Sequence, residues 1–112
     1  MSSIRQQKVE RLVQRALGEI FQQESRSLFG GAFITVTVVR ISPDLGHAKV
    51  YLSFFGTEAK EDMLAMVEVK GRRVRGLLGN RIGKSVRSIP ELQFHIDDSL
   101  DQSEKIDKLL KE

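Results

Sequence analysis

A two-layer α+β domain, with helices packed on one face of a three-stranded sheet, is the architecture to expect from this 112-residue chain. Three features lead to it. Phe33 to Phe55 reads FITVTVVRISPDLGHAKVYLSFF, two runs rich in β-branched and aromatic residues around a break holding Pro43, Asp44 and Gly46. That is the form of two neighbouring strands joined by a turn longer than the tightest hairpin. The stretches on either side step their apolar residues at helical spacing, and a later alternating run, Leu92 to Ile96, supplies a third strand. With 40% apolar residues over this length, residues 1–112 make one domain with a small core.

The first helix starts at Ser3, which has capping-box spacing to Gln6. Val9, Leu12, Val13, Ala16, Leu17, Ile20 and Phe21 form its apolar stripe, while Lys8, Arg11 and Arg15 recur at the same spacing on the other side as a basic ridge. A solvated helix face is the plain account of that ridge, and phosphate contact is the functional one. Glu24 to Gly31, with two serines and two glycines, reads as a loop.

In the first strand Ile34, Val36 and Val38 share a face opposite Thr35 and Thr37. In the second, Ala48, Val50, Leu52 and Phe54 alternate with Lys49, Tyr51, Ser53 and Phe55. The apolar face belongs under the helices. Tyr51 and Phe55 on the other face are too few to read as a base-stacking platform, so ordinary packing is expected of them. His47 and His95 are the two histidines, and with no ligand at metal spacing each is expected to be a hydrogen-bonded strand or turn residue.

After Gly56 a helix begins at Thr57 or Glu58, with Ala59, Met63, Met66 and Val67 inward. Lys70-Gly71 breaks it, and from Arg72 the pattern resumes, Val74, Leu78, Ile82 and Val86 stepping by four until Ser88-Ile89-Pro90 ends the helix. Arg72, Arg73, Arg81, Lys84 and Arg87 fall in one broad arc away from that stripe, with Arg75 near the core edge. Like charges on one helix face without acidic i,i+4 partners cost a little stability, which points to an external polyanion; a solvated surface or pairing with the acidic helix beside it is the alternative. Gly76-Leu-Leu-Gly79 has the spelling of a GxxG loop, yet its leucines suit close helix packing better. Asp97 and Asp98 read as turn and cap residues, and Ser103 to Leu110 as a short terminal helix with Ile106, Leu109 and Leu110 inward.

The formal net charge is +3 and the pI about 9.4, and the distribution is more telling than the total. Acids gather between Glu58 and Glu68 and from Asp97 onward, whereas Arg72 to Arg87 carries six basic residues and no acidic one. No cysteine is present, so neither a disulfide framework nor a cysteine zinc site holds the fold. No run resembles a signal peptide or a membrane span. These features lead to the expectation of a cytoplasmic protein without membrane attachment, metal or cofactor, and of a monomer. Enzymatic chemistry is not expected, because no acid/base, nucleophile or metal constellation converges.

The predicted order, α-β-β-α-kink-α-β with a short C-terminal helix, is that of the prokaryotic-type KH domain. The residues point further. Ile34 to Phe54, ITVTVVRISPDLGHAKVYLSF, and Leu77 to Leu100, LLGNRIGKSVRSIPELQFHIDDSL, resemble the ribosome-binding factor A family, and the resemblance extends from about Arg5 to Leu110. It implies a KH-like, non-enzymatic assembly factor that binds the immature small (30S) ribosomal subunit and its 16S rRNA near the decoding-region helices. It also implies a part in late maturation and 5′-end processing of the precursor, and importance for growth in the cold. In that family a kink at Ala-x-Gly replaces the GxxG loop; its counterpart here is Val69-Lys70-Gly71, which keeps the glycine and has valine for alanine. Lys8, Arg11, Arg15, Arg72, Arg73, Arg81, Lys84 and Arg87 are the residues expected to meet rRNA backbone.

Overall fold

The computed structural model describes residues 3–97, so the expected helix at Ser103–Leu110, and Asp98 with it, lie outside the described residues. The elements are α1 (Ile4–Gln23), α2 (Ser25–Leu28), β1 (Phe33–Ile41), β2 (His47–Phe55), α3 (Lys60–Val69), α4 (Gly71–Ile82) and β3 (Glu91–Ile96). The sheet order is β1-β2-β3; β1 runs antiparallel to β2, and β3 runs parallel to it. Parallel neighbours need a long crossover, and α3 with α4 supplies it. Because β2 is central, its inward residues Ala48, Val50 and Leu52 are wholly buried beneath the helices and Phe54 nearly so.

The capping box at the start of α1 is complete: the Gln6 backbone N–H donates to Ser3 Oγ (3.1 Å) and the Ser3 N–H to Gln6 Oε1 (2.8 Å). After α1, the expected loop winds one short helical turn, α2, and buries Phe29, whose ring centroid lies 5.1 Å from that of Phe21. Gly30 and Gly31 then take φ of +60° and +82°. Side chains with a Cβ rarely adopt that region, and two such residues in succession let the chain reverse into β1.

β1 departs from the expected alternation. Ile34 and Val36 are buried, but the next buried residues are Val39 and Ile41, with Val38 only half-buried. The register shift lies between Val36 and Val38, where Thr37 is the extra residue of a bulge. One extra residue moves every later side chain to the opposite face. The Thr37 hydroxyl lies within hydrogen-bonding reach of the Asp97 carboxylate and the Tyr51 carbonyl, which pins the bulge to the neighbouring strands.

The turn into β2 is held by Asp44, whose Oδ1 accepts from Ser42 Oγ (2.6 Å) and the Gly46 N–H (3.0 Å). These bonds, the serine's first, and the nearby His47 hold the Asp44 carboxyl below its ordinary value of 3.8. A depressed folded value means the carboxylate favours the folded turn above pH 3.8, and that contribution is lost as the pH falls through the folded midpoint. A carbon-detected NMR titration should therefore give Asp44 a midpoint below that of an unstructured aspartate, and Ser42→Ala should bring it back toward 3.8.

The two crossover helices are shifted from their expected bounds. α3 starts at Lys60 after an exposed Ala59, later than Thr57 or Glu58, with no side-chain cap to begin it sooner. The break to α4 is the single residue Lys70, and Gly71 is already helical. α4 stops at Ile82, so Val86 belongs to the turns that follow. Gly76, Gly79 and Gly83 lower helix propensity along this stretch, and a Cβ on Gly83 would lie 2.5 Å from the Gly79 carbonyl oxygen. The Gly76-Leu-Leu-Gly79 segment is thus internal to a helix and forms no loop.

Candidate nucleic-acid interface

Lys8, Arg11 and Arg15 are all exposed on the side of α1 turned away from its buried stripe of Val13, Leu17 and Ile20. One helical turn separates each from the next. None has an ion pair among the described residues. Both long-helix starts near the basic surface lack acidic residues: Arg5 sits in the first turn of α1, and Arg72 and Arg73 in that of α4. A cation at a helix N-terminus opposes the macrodipole by about 0.3–1 kcal/mol. The folded chain therefore keeps unneutralised positive potential at these places, as a polyanion site requires.

Arg72, Arg73, Arg81, Lys84 and Arg87, expected to share one arc with Arg75 apart from it, are divided among several places. Arg81 reaches across to α1, where its guanidinium pairs with Glu19 Oε2 at 2.7 Å and also bonds the Gln23 side chain. It lies one residue before buried Ile82, at the margin of the stripe, and this is where α4 meets its neighbour helix. Arg75 donates from Nε to the Pro90 carbonyl (3.1 Å) and from Nη2 to that of Ile89 (2.7 Å), fastening the entry to β3. Lys84 and Arg87 stand beyond α4, exposed in the turns before β3. Arg87 borders a cleft with Arg5, Ser85 and Ser88, so it joins the α1 cluster at its N-terminal end. Arg72 instead lines a groove with Glu68, Gly71 and the β3 edge. The structure thus gathers Lys8, Arg11, Arg15 and Arg87 around α1, adds Arg5, sets Arg72 and Arg73 apart beside the Lys70 break, and occupies Arg81 in a helix–helix contact.

That division makes a prediction. The Arg81–Glu19 pair is partly exposed, and such pairs contribute only about 0.2–1 kcal/mol. Arg81→Ala should lower the urea midpoint slightly and leave the salt dependence of RNA binding nearly unchanged, since its charge is already neutralised within the fold.

A second set of polar residues on α1 was not singled out by its residue pattern. Gln6 and Glu10 are buried, and with Gln14 they form a row at four-residue spacing along the outer edge of β1. Gln6 Nε2 donates to the Ile41 carbonyl (2.9 Å), the Ile41 N–H donates to Glu10 Oε2 (2.8 Å), and Gln14 Nε2 donates to the carbonyls of Val36 (3.3 Å) and Thr37 (3.1 Å). An edge strand with open backbone groups invites pairing with other chains, and this row occupies backbone groups of Val36, Thr37 and Ile41 on that edge.

On the open face of the sheet, Tyr51 stacks on His95 with centroids 5.3 Å apart and planes at 29°. His95 Nε2 is buried with no hydrogen-bond partner, contrary to the bonded histidine expected; the ring is held by its face on Tyr51 rather than by a bond at that nitrogen. His47 Nδ1 stands 3.7 Å from an exposed Glu91 carboxylate. Phe33 and Phe55 form an exposed edge-to-face pair at the far end of the face. Among the described residues no group of three or more His, Asp or Glu side chains is placed to hold a metal, and no helix is long and apolar enough to cross a membrane.

Comparison with known proteins agrees with this architecture. Residues 5–110 match the family model of ribosome-binding factor A. The chain is 49% identical over 110 residues to a ribosome-binding factor A of Cytophaga hutchinsonii, covering 98% of this chain and 83% of that one. Among solved structures it is similar to the crystal structure of ribosome-binding factor A from Thermus thermophilus, with a TM-score of 0.67 at 28% identity over 81% of this chain and 94% of that one. It is also similar to a homology model of the Thermus thermophilus ribosome-binding factor A as fitted into the cryo-EM map of a complex with the 30S subunit, with a TM-score of 0.64 at 30% identity and 81% and 93% covered. The open three-stranded sheet with helices on one face is the KH-like fold of these proteins.

Proposed function

The chain belongs to the ribosome-binding factor A family, a non-catalytic family of ribosome biogenesis, and on that footing we propose that it is an assembly factor binding the immature small ribosomal subunit through 16S rRNA. The exposed cations Lys8, Arg11 and Arg15, spaced one turn apart on α1 and without an ion pair among the described residues, carry this reading. Arg5 and Arg87 extend that surface toward the start of α1, Lys84 stands exposed in the turn after α4, and Arg72 and Arg73 beside Lys70 give a second contact region. Binding reads the charge and shape of folded RNA, because phosphate contacts position a protein without specifying sequence. The relative fitted to a 30S subunit supports the same partner. The bound protein works in the cytoplasm as a single-domain monomer, assists late maturation and 5′-end processing near the decoding-region helices, and matters most for growth in the cold.

Crosslinking the full chain to immature small subunits, followed by sequencing of the attached RNA, tests this. Crosslinks concentrated in one folded region of the small-subunit rRNA are expected. Equal affinity for short unstructured RNA would instead make it a general single-strand-binding module.

A further inference from the structure

The row along the edge of β1 ends one step early. Gln6, Glu10 and Gln14 each reach a backbone group of β1, and the next position at the same spacing is Gly18, which has no side chain to offer. Nothing lies within 4 Å of the place its Cβ would take. α1 and β1 run antiparallel, so Gly18 faces the strand two residues before Val36. The Val36 carbonyl points outward to Gln14, and strand alternation turns the N–H and carbonyl of Ile34 the same way. A groove of about 450 Å³ opens there, bordered by Gln14, Arg15, Gly18, Gln22, Phe33 and Ile34.

We propose that this groove is a nucleobase pocket, taking one unstacked base of single-stranded RNA beside the α1 basic ridge. It rests on the RNA-binding reading above and adds a base-recognising element to it. The volume is in the range of small-ligand sites. An N–H and a carbonyl side by side on Ile34, flanked by the Gln14 amide oxygen and the Gln22 carboxamide, suit the donor and acceptor edge of a base. Arg15 belongs both to the groove and to the ridge, so a base seated here leaves its phosphate among the ridge cations. A protein strand added to this edge is the less fitting occupant. The stretch beside Gly18 is three residues, Phe33–Thr35, closed at one end by Ser25 Oγ donating to the Ala32 carbonyl (2.8 Å) and at the other by Gln14, whereas strands typically run about five or six residues.

Gly18→Gln in the full chain fills the groove without altering charge, and 4-thiouridine in a single-stranded oligonucleotide and in precursor small subunits reports occupancy. For the unaltered chain, photocrosslinks are expected on the tryptic peptide spanning residues 27–40. Gly18→Gln should cut that yield at least tenfold, leave the urea midpoint no lower, since glutamine suits a helix interior better than glycine, and leave the salt slope of subunit binding unchanged. An unaltered yield in Gly18→Gln, or no crosslink on 27–40 in a chain that still binds subunits with a steep salt slope, overturns the pocket and spares the RNA reading. Crosslinking of 27–40 to a subunit protein in place of RNA also overturns it, in favour of strand addition. Absence of any salt-dependent subunit binding overturns the RNA reading itself.

Discussion

Lys8→Glu, Arg11→Glu and Arg15→Glu combined should reduce affinity for immature small subunits by well over an order of magnitude while the protein stays folded. Each phosphate contact to single-stranded or irregular RNA contributes about 0.7 to the slope of log affinity against log salt. Losing three makes the slope shallower by about 2, and at near-physiological salt their simple removal lowers affinity by roughly fiftyfold. Reversal adds repulsion to that loss. The fold should tolerate the change because all three side chains are exposed and lie on the side of α1 away from Val13, Leu17 and Ile20. Cosedimentation at two salt concentrations, with circular dichroism as the check on folding, measures both. A slope that stays as steep as in the unaltered chain would remove the α1 ridge from the interface, and comparison with Arg81→Ala separates free cations from the internally paired one.

Much of this was legible in the residues, for reasons that differ by element. α1 and β2 carry uninterrupted periodicities, and the capping box needs only Ser3 and Gln6, three residues apart. The bulge in β1 left no mark, because Val36, Thr37 and Val38 are all β-branched and suit a strand in either phase. The end of α4 was visible as glycines at 76, 79 and 83, but the apolar step to Val86 outweighed them. Partners distant in sequence were the least readable. Glu19 and Arg81 are paired across 62 positions, and the carboxamides of Gln6 and Gln14 make sense only once β1 lies alongside α1. A buried Glu10 is the informative anomaly here: a carboxylate inside an apolar stripe needs a donor, and the Ile41 N–H is that donor. The basic arc was misread for the same reason, since angular position alone does not say which neighbour a margin residue will meet.

Phe21→Ala should be the most damaging single substitution to stability, at about 3–5 kcal/mol. A domain of this length has roughly 6–17 kcal/mol in total, so the loss is a large fraction. Phe21 is 1% exposed, and its ring centroid lies 5.1 Å from that of Phe29 and 6.3 Å from that of Phe94, the latter edge-on. One ring from α1 therefore joins the segment after α2 to β3, two parts of the chain that have no other aromatic link among the described residues. Truncation leaves a cavity lined by both partners, and because they belong to different elements the site cannot close by moving one of them. Phe21→Leu fills most of the volume and should cost much less. Urea unfolding with an unchanged m value measures the difference; a loss below about 1 kcal/mol for the alanine variant would mean that the layers are held elsewhere. Function adds a second readout. The α1 cations are untouched by this change, so below its lowered melting temperature the variant should bind subunits with the full salt slope, and above it lose binding altogether, since the ridge acts only while α1 is held to the sheet.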